Sequence, residues 1–144
     1  MSPTFTGLFT GRLVGIMEKD GYDRLGPSLT GRWFLVPFSD GDAGAHGADA
    51  ADAAALLLRL ADEVKGRNLM SATYPFTYVH TPDDPQMIKL YDPLACGSGC
   101  SSGSPMPWWV VSRVAPSADE LASLRGAFAG ADTPFWKKLI PWRA

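Results

Sequence analysis

Two cysteines in 144 residues are too few for the disulfide framework that staples small secreted domains. Long apolar runs are also missing, and nothing approaches the roughly 18 consecutive apolar residues of a spanning helix. The opening stretch from Met1 to Lys19 is broken by Arg12 and by Gly7, Gly11 and Gly15, so it does not read as a secretory leader. These absences predict a cytoplasmic chain with no membrane span. Charge is scarce and nearly balanced, with 13 basic and 15 acidic side chains and a net charge of -2. That excludes the broad basic footprint on which phosphate-dominated binding of DNA or RNA rests. No G-x-x-x-x-G-K-[ST], H-E-x-x-H or EF-hand loop occurs either.

What the chain does have is enough apolar material to fold. Hydrophobic residues make up 46% and charged residues 19%, which favours an ordered core over disorder. The length suits one domain over 1–144, with 133–144 read as a docking tail. Phe5 to Met17 alternates loosely between apolar and small or polar types, as a half-buried strand does. Asp20-Gly21 and Leu25-Gly26-Pro27 then break the chain, and Arg32 to Phe38 reads as a denser strand. Ala48 to Lys65 is the clearest helix. Asp49 and Asp52 open it, Lys65 and Gly66 close it, and Ala53, Leu57, Leu60 and Val64 give it one apolar face.

Ser71 to His80 and Met87 to Asp92 read as paired strands that turn back through Thr81-Pro-Asp-Asp-Pro85. Trp108 to Val114 makes a further strand. Ser117 and Glu120 then form an S-x-x-E capping box ahead of Leu121, Leu124 and Phe128. The expected class is α+β: an antiparallel or mixed sheet of about five strands with two helices packed on one face.

One segment points toward chemistry. Cys96-Gly-Ser-Gly-Cys100 follows a predicted strand and sits in glycine and serine, which allow a sharp bend. Extended, its two Cα atoms lie roughly 13 Å apart. A turn through Gly97 and Gly99 brings them within the about 4.4–6.8 Å of a disulfide. The loop therefore permits either a redox pair or two metal-ligating thiolates. A structural zinc site usually takes about four ligands, and His80 is the preferred third candidate, ahead of His46. The resulting site is Cys96, Cys100 and His80 with an aspartate from Asp83 or Asp84, or two cysteine pairs shared across a dimer around zinc or an iron-sulfur cluster. The competing reading has His80 bonded at a strand end and the cysteines in a plain loop.

Ile88-Lys-Leu-Tyr-Asp-Pro-Leu-Ala-Cys96 resembles the opening of arsenic metallochaperones, in which a strand, an Asp-Pro and a cysteine lead into a thiol site. In that family a helix follows the loop. Here Ser104-Pro-Met-Pro107 and another strand follow, so membership is not expected. Gly99-Cys-Ser-Ser-Gly103 matches the G-x-S-x-G elbow, but Pro105 and Pro107 stop the helix that the elbow needs, and both histidines precede Ser101. Gly97, Gly99 and Gly103 miss the dinucleotide fingerprint by one residue.

The function expected from these signals is that of a non-catalytic accessory or binding protein, a homodimer or a subunit of a larger assembly. Its motivation is the aromatic content of Trp108, Trp109, Trp136 and Trp142. The alternative is a thiol-dependent metal-binding or redox protein.

Overall fold

The computed structural model describes residues 3–38, 44–67, 73–93 and 106–132. Six strands form one sheet: β1 (Val14–Gly15), β2 (Arg32–Val36), β3 (His46–Asp49), β4 (Phe76–His80), β5 (Met87–Tyr91) and β6 (Trp109–Ser112). Their order is β1-β4-β5-β6-β2-β3, and every pairing is antiparallel. With them, among the described residues, run four helices: α1 (Phe5–Phe9), α2 (Lys19–Ser28), α3 (Ala50–Gly66) and α4 (Ala118–Asp132). The α+β class and the antiparallel sheet agree with the sequence, with six strands where about five were expected. No helix among the described residues is long and apolar enough to cross a membrane.

Side chains along a strand alternate between faces, and here the alternation divides the interior in two. Trp33, Val79, Ile88, Leu90 and Val111 turn to the first face, against Tyr22 and Leu25 of α2 and Ala53, Leu57 and Leu60 of α3. Val36, Met87 and Val110 turn to the second face, against Phe5, Leu8 and Phe9 of α1 and Leu121 of α4. Helices therefore cover both sides, four among the described residues where two were expected on one side. The central strands require this. Met87, Ile88 and Leu90 of β5, and Val110 and Val111 of β6, are all buried, so neither face of the middle of the sheet can be left to water.

The extra helices come from the first thirty residues. Thr4 caps α1 by accepting from the Gly7 N–H at 2.9 Å, and Phe5, Leu8 and Phe9 fall at helical spacing. Their loose alternation with small residues fits a strand almost equally well, which is why Phe5 to Met17 reads as one; of that stretch Val14–Gly15 forms the strand β1. In α2, Asp20-Gly21 and Gly26-Pro27 look like breaks. The helix persists because Tyr22 and Leu25 are buried and the Tyr22 hydroxyl donates to the Leu57 carbonyl at 2.6 Å. Gly26 lets α2 approach α3 closely, since a Cβ there would lie 3.3 Å from the Ala54 Cβ, a tight contact.

The third helix, α3, forms where its local signals place it. The Asp49 carboxylate accepts from the Asp52 N–H at 2.9 Å, and Ala53, Leu57, Leu60 and Val64 are buried. The β4–β5 hairpin also follows the sequence. Thr81 adopts φ 59°, Asp84 donates its N–H to the Thr81 carbonyl at 2.9 Å, and the Gln86 N–H reaches the His80 carbonyl at 3.0 Å.

Candidate functional site

The register of the sheet lays the second face out in rows. One row runs Val36, Val110, Lys89, Tyr78, Gly15 across β2, β6, β5, β4 and β1. Beside it, Phe76 pairs with Tyr91. The Ile16 N–H donates to the Thr77 carbonyl at 2.8 Å, which continues the register and sets Met17 opposite Phe76. Val36 and Val110, at the start of the first row, are fully buried beneath α1 and α4. Its other end is open. Tyr78 is 43% exposed, Phe76 46% and Met17 86%, while Tyr91 is half-buried. Gly15 has no side chain to place over the Tyr78 ring, where a Cβ would meet ring carbon at 3.1 Å. Tyr78 and Tyr91 hold each other edge to face at 5.6 Å between centroids.

Lys89 marks the boundary between the covered and open halves. Its ammonium lies 3.7 Å from the centroid of Phe9, a cation–π contact with α1. Among the described residues no carboxylate lies within ion-pair distance of it. Burial without a counter-ion penalises the charged form and pulls the amine down to about 8 from an ordinary 10.5. Sequence reasoning did not single out this lysine. A lone Lys between Ile88 and Leu90 in a strand is the available signal, since alternation sends it to the face opposite those two core residues.

A second, shallower feature lies on the first face, a cleft of about 240 Å³ lined by Leu35, His46, Asp52, Leu56, Arg59 and Trp109. Trp109 is half-buried there under the Arg59 guanidinium at 5.5 Å, and Trp108 lies under Arg67 at 5.0 Å. Both tryptophans pack against the core around α3. The aromatic surface expected from them is thus largely used inside the molecule, and exposed aromatic area appears on β4 instead. Trp136 and Trp142 lie outside the described residues.

Of the residues expected to ligate metal, Cys96 and Cys100 also lie outside the described residues. His80 ends β4, its Nδ1 2.8 Å from the Thr81 hydroxyl and its ring against Gly11. An antiparallel hairpin puts the close of its first strand beside the turn. His80 accordingly pairs with Met87, the first residue of β5, while the cysteine segment leaves from that strand's far end beyond Asp92. At about 3.4 Å per residue, the four residue steps of β5 from Met87 to Tyr91 set its two ends roughly 14 Å apart. Among the described residues no three His, Cys, Asp or Glu side chains gather closely enough to hold a metal ion.

The segment's two flanks are fixed. Asp92 is ion-paired with Arg67 at 2.5 Å, and the Trp108 N–H donates to the Leu90 carbonyl at 2.7 Å. Neither a family model, nor a curated protein, nor a solved structure matches this chain.

Proposed function

We propose that this is a non-catalytic binding protein that acts as a homo-oligomer or as a subunit of a larger assembly, and that the aromatic patch on β1 and β4 is its docking surface. The observation that carries this is clustering. Five large hydrophobic residues are exposed among those described, and three of them, Met17, Phe76 and Tyr78, meet on one stretch of the second face. Scattered apolar side chains on a surface are ordinary, whereas a contiguous aromatic group beside a core is the usual mark of an interface.

The first occupant to test is a second copy of this chain, because a net charge of only -2 opposes self-association weakly. A protein partner inside the cytoplasm belongs to the same reading. Light scattering on a sizing column over a wide concentration range is expected to show association. The Phe76→Ser, Tyr78→Ser double variant is expected to run as a monomer with an unchanged circular dichroism spectrum. A wild-type chain that is monomeric throughout would overturn the self-association reading.

A second reading takes Cys96 and Cys100 as a thiol pair for metal or redox chemistry. In its favour stands the clamping of both flanks of their segment, by Arg67 on Asp92 and by Leu90 on Trp108, because a fixed span lowers the entropy lost when a short loop closes on itself. Elemental analysis and thiol titration of protein purified without oxygen decide it. Bound zinc or iron, or a reversible dithiol, that disappears in Cys96→Ser and Cys100→Ser supports it. Neither signal in the wild type removes it.

A further inference from the structure

Among the lysines, Lys89 has a setting that changes its chemistry. It belongs to β5, one of the two central strands, so its backbone is held by pairing on both sides, with Tyr78 across one ladder and Val110 across the other. Its amine is half-buried, stands over Phe9, and meets no carboxylate among the described residues. The rows of the sheet fix what else faces it. On that face β4 contributes Tyr78 and His80, β5 itself Met87 and Tyr91, and β6 Val110 and Ser112; α1 contributes no charged residue, and in α4 Glu120 bonds Thr6 and Ser117 while Arg125 donates to the Pro37 and Phe38 carbonyls. Among the described residues, an ammonium there gives up water and gains the face of Phe9 in return. The neutral amine loses far less.

From this geometry we infer that Lys89 is the chain's reactive amine, a site of imine formation with small flat aldehydes that seat on Tyr78 and Tyr91. Tyr78 stands across the ladder from Lys89 and Tyr91 lies two residues along on the same face; the two rings meet edge to face, and Tyr78 is 43% exposed. The neutral amine attacks the carbonyl carbon, and the carbinolamine then expels the former carbonyl oxygen as water. Both nitrogen-bound hydrogens leave with that water, and a C=N bond remains. No oxidant or reductant takes part.

The lowered basicity of the amine supports the reaction at neutral pH. A value of about 8 in place of 10.5 leaves a few hundredfold more free amine near pH 7, and the poorer nucleophilicity of a weaker base offsets only part of that gain. Pairing of β5 on both sides adds to it, because the backbones that carry Lys89 and Tyr78 are held in fixed register.

Benzaldehyde with sodium cyanoborohydride, which delivers hydride to the imine and makes the adduct permanent, provides the test. Full-length protein is labelled at pH 7, at a dilution where light scattering reports the monomer, and the adducts are mapped by mass spectrometry. Lys89 is expected to be labelled at least tenfold faster than the mean of Lys19, Lys65, Lys137 and Lys138. That excess is expected to shrink as pH rises toward 10, where the other amines also lose their protons. Lys89→Arg keeps the charge and removes the adduct. Tyr78→Ala, checked for folding by circular dichroism, is expected to lower Lys89 labelling several-fold toward benzaldehyde but not toward formaldehyde, which has no ring to seat. Even labelling across all five lysines at pH 7 would overturn the reactive amine, and equal effects of Tyr78→Ala on the two aldehydes would overturn the seat.

Discussion

Lys89 also ties stability to pH. Its folded form holds the proton less tightly than the unfolded chain does, because burial works against the ammonium. Below pH 8 both states are protonated and the cost of desolvating the charge is borne in full. Between about pH 8 and 10.5 the unfolded chain keeps a proton that the folded chain has released, so stability rises with pH across that window. The buried Tyr22 phenol works the other way from pH 10 upward. Burial, with Asp23 as the smaller cause, pushes it above its ordinary 10.0, so only the unfolded chain ionises there and stability falls. Urea titrations are expected to show a midpoint that climbs from pH 8 to pH 10. In Lys89→Met it is expected to be flatter over that span and higher than wild type at pH 7. A wild-type midpoint that fails to climb would contradict the buried, unpaired amine.

Between elements, one carboxylate joins two helix starts. Within α4 the Glu120 Oε1 accepts from the Ser117 N–H at 3.1 Å, and the Ser117 hydroxyl accepts from the Glu120 N–H at 3.0 Å, which completes the capping box. The other oxygen, Oε2, accepts from the N–H and hydroxyl of Thr6 in α1, at 2.9 and 2.7 Å. These bonds, those from Thr6 first, hold the Glu120 carboxyl below the usual range. Their stabilisation is therefore present above the unfolded carboxyl's range and is lost as pH falls through the folded one. Glu120→Ala is expected to cost about 2–3 kcal/mol at pH 7, against about 1 kcal/mol for Ser117→Ala, with the gap closing in acid. Chemical denaturation at pH 7 and pH 3 measures both.

The capping box itself was legible in Ser117 and Glu120, as α3 was in Asp49, Leu57, Leu60 and Lys65, because both depend on neighbours within a few positions. The bond from Glu120 to Thr6 spans 114 positions and left no local trace. β3 was hidden for a similar reason. His46-Gly-Ala-Asp49 has little strand character of its own and is extended because β2 pairs with it. The candidate patch was half legible. Phe76-Thr-Tyr-Val-His80 alternates, so Phe76 and Tyr78 share a face, but which face lacks a helix depends on where α1 and α4 pack.

At the scale of the whole molecule, burial is concentrated in β5 and β6, while β1 is a two-residue edge and β3 closes the other side. Amide exchange is expected to be slowest at Ile88, Leu90, Val110 and Val111 and fastest at Val14 and Gly15, as local opening begins where few apolar contacts must break. Protection that is uniform across the six strands would argue against this gradient.

The strand order carries one further consequence. Among the described strands, Trp109–Ser112 alone pairs with both β5 and β2 and so joins β1-β4-β5 to β2-β3 within the sheet, and it is the last of the six to be synthesised. A nascent chain that stops short of Trp109 therefore carries two half-sheets with raw edges, each able to pair with the wrong neighbour. The interval before those four residues clear the ribosome is when this protein most needs shelter.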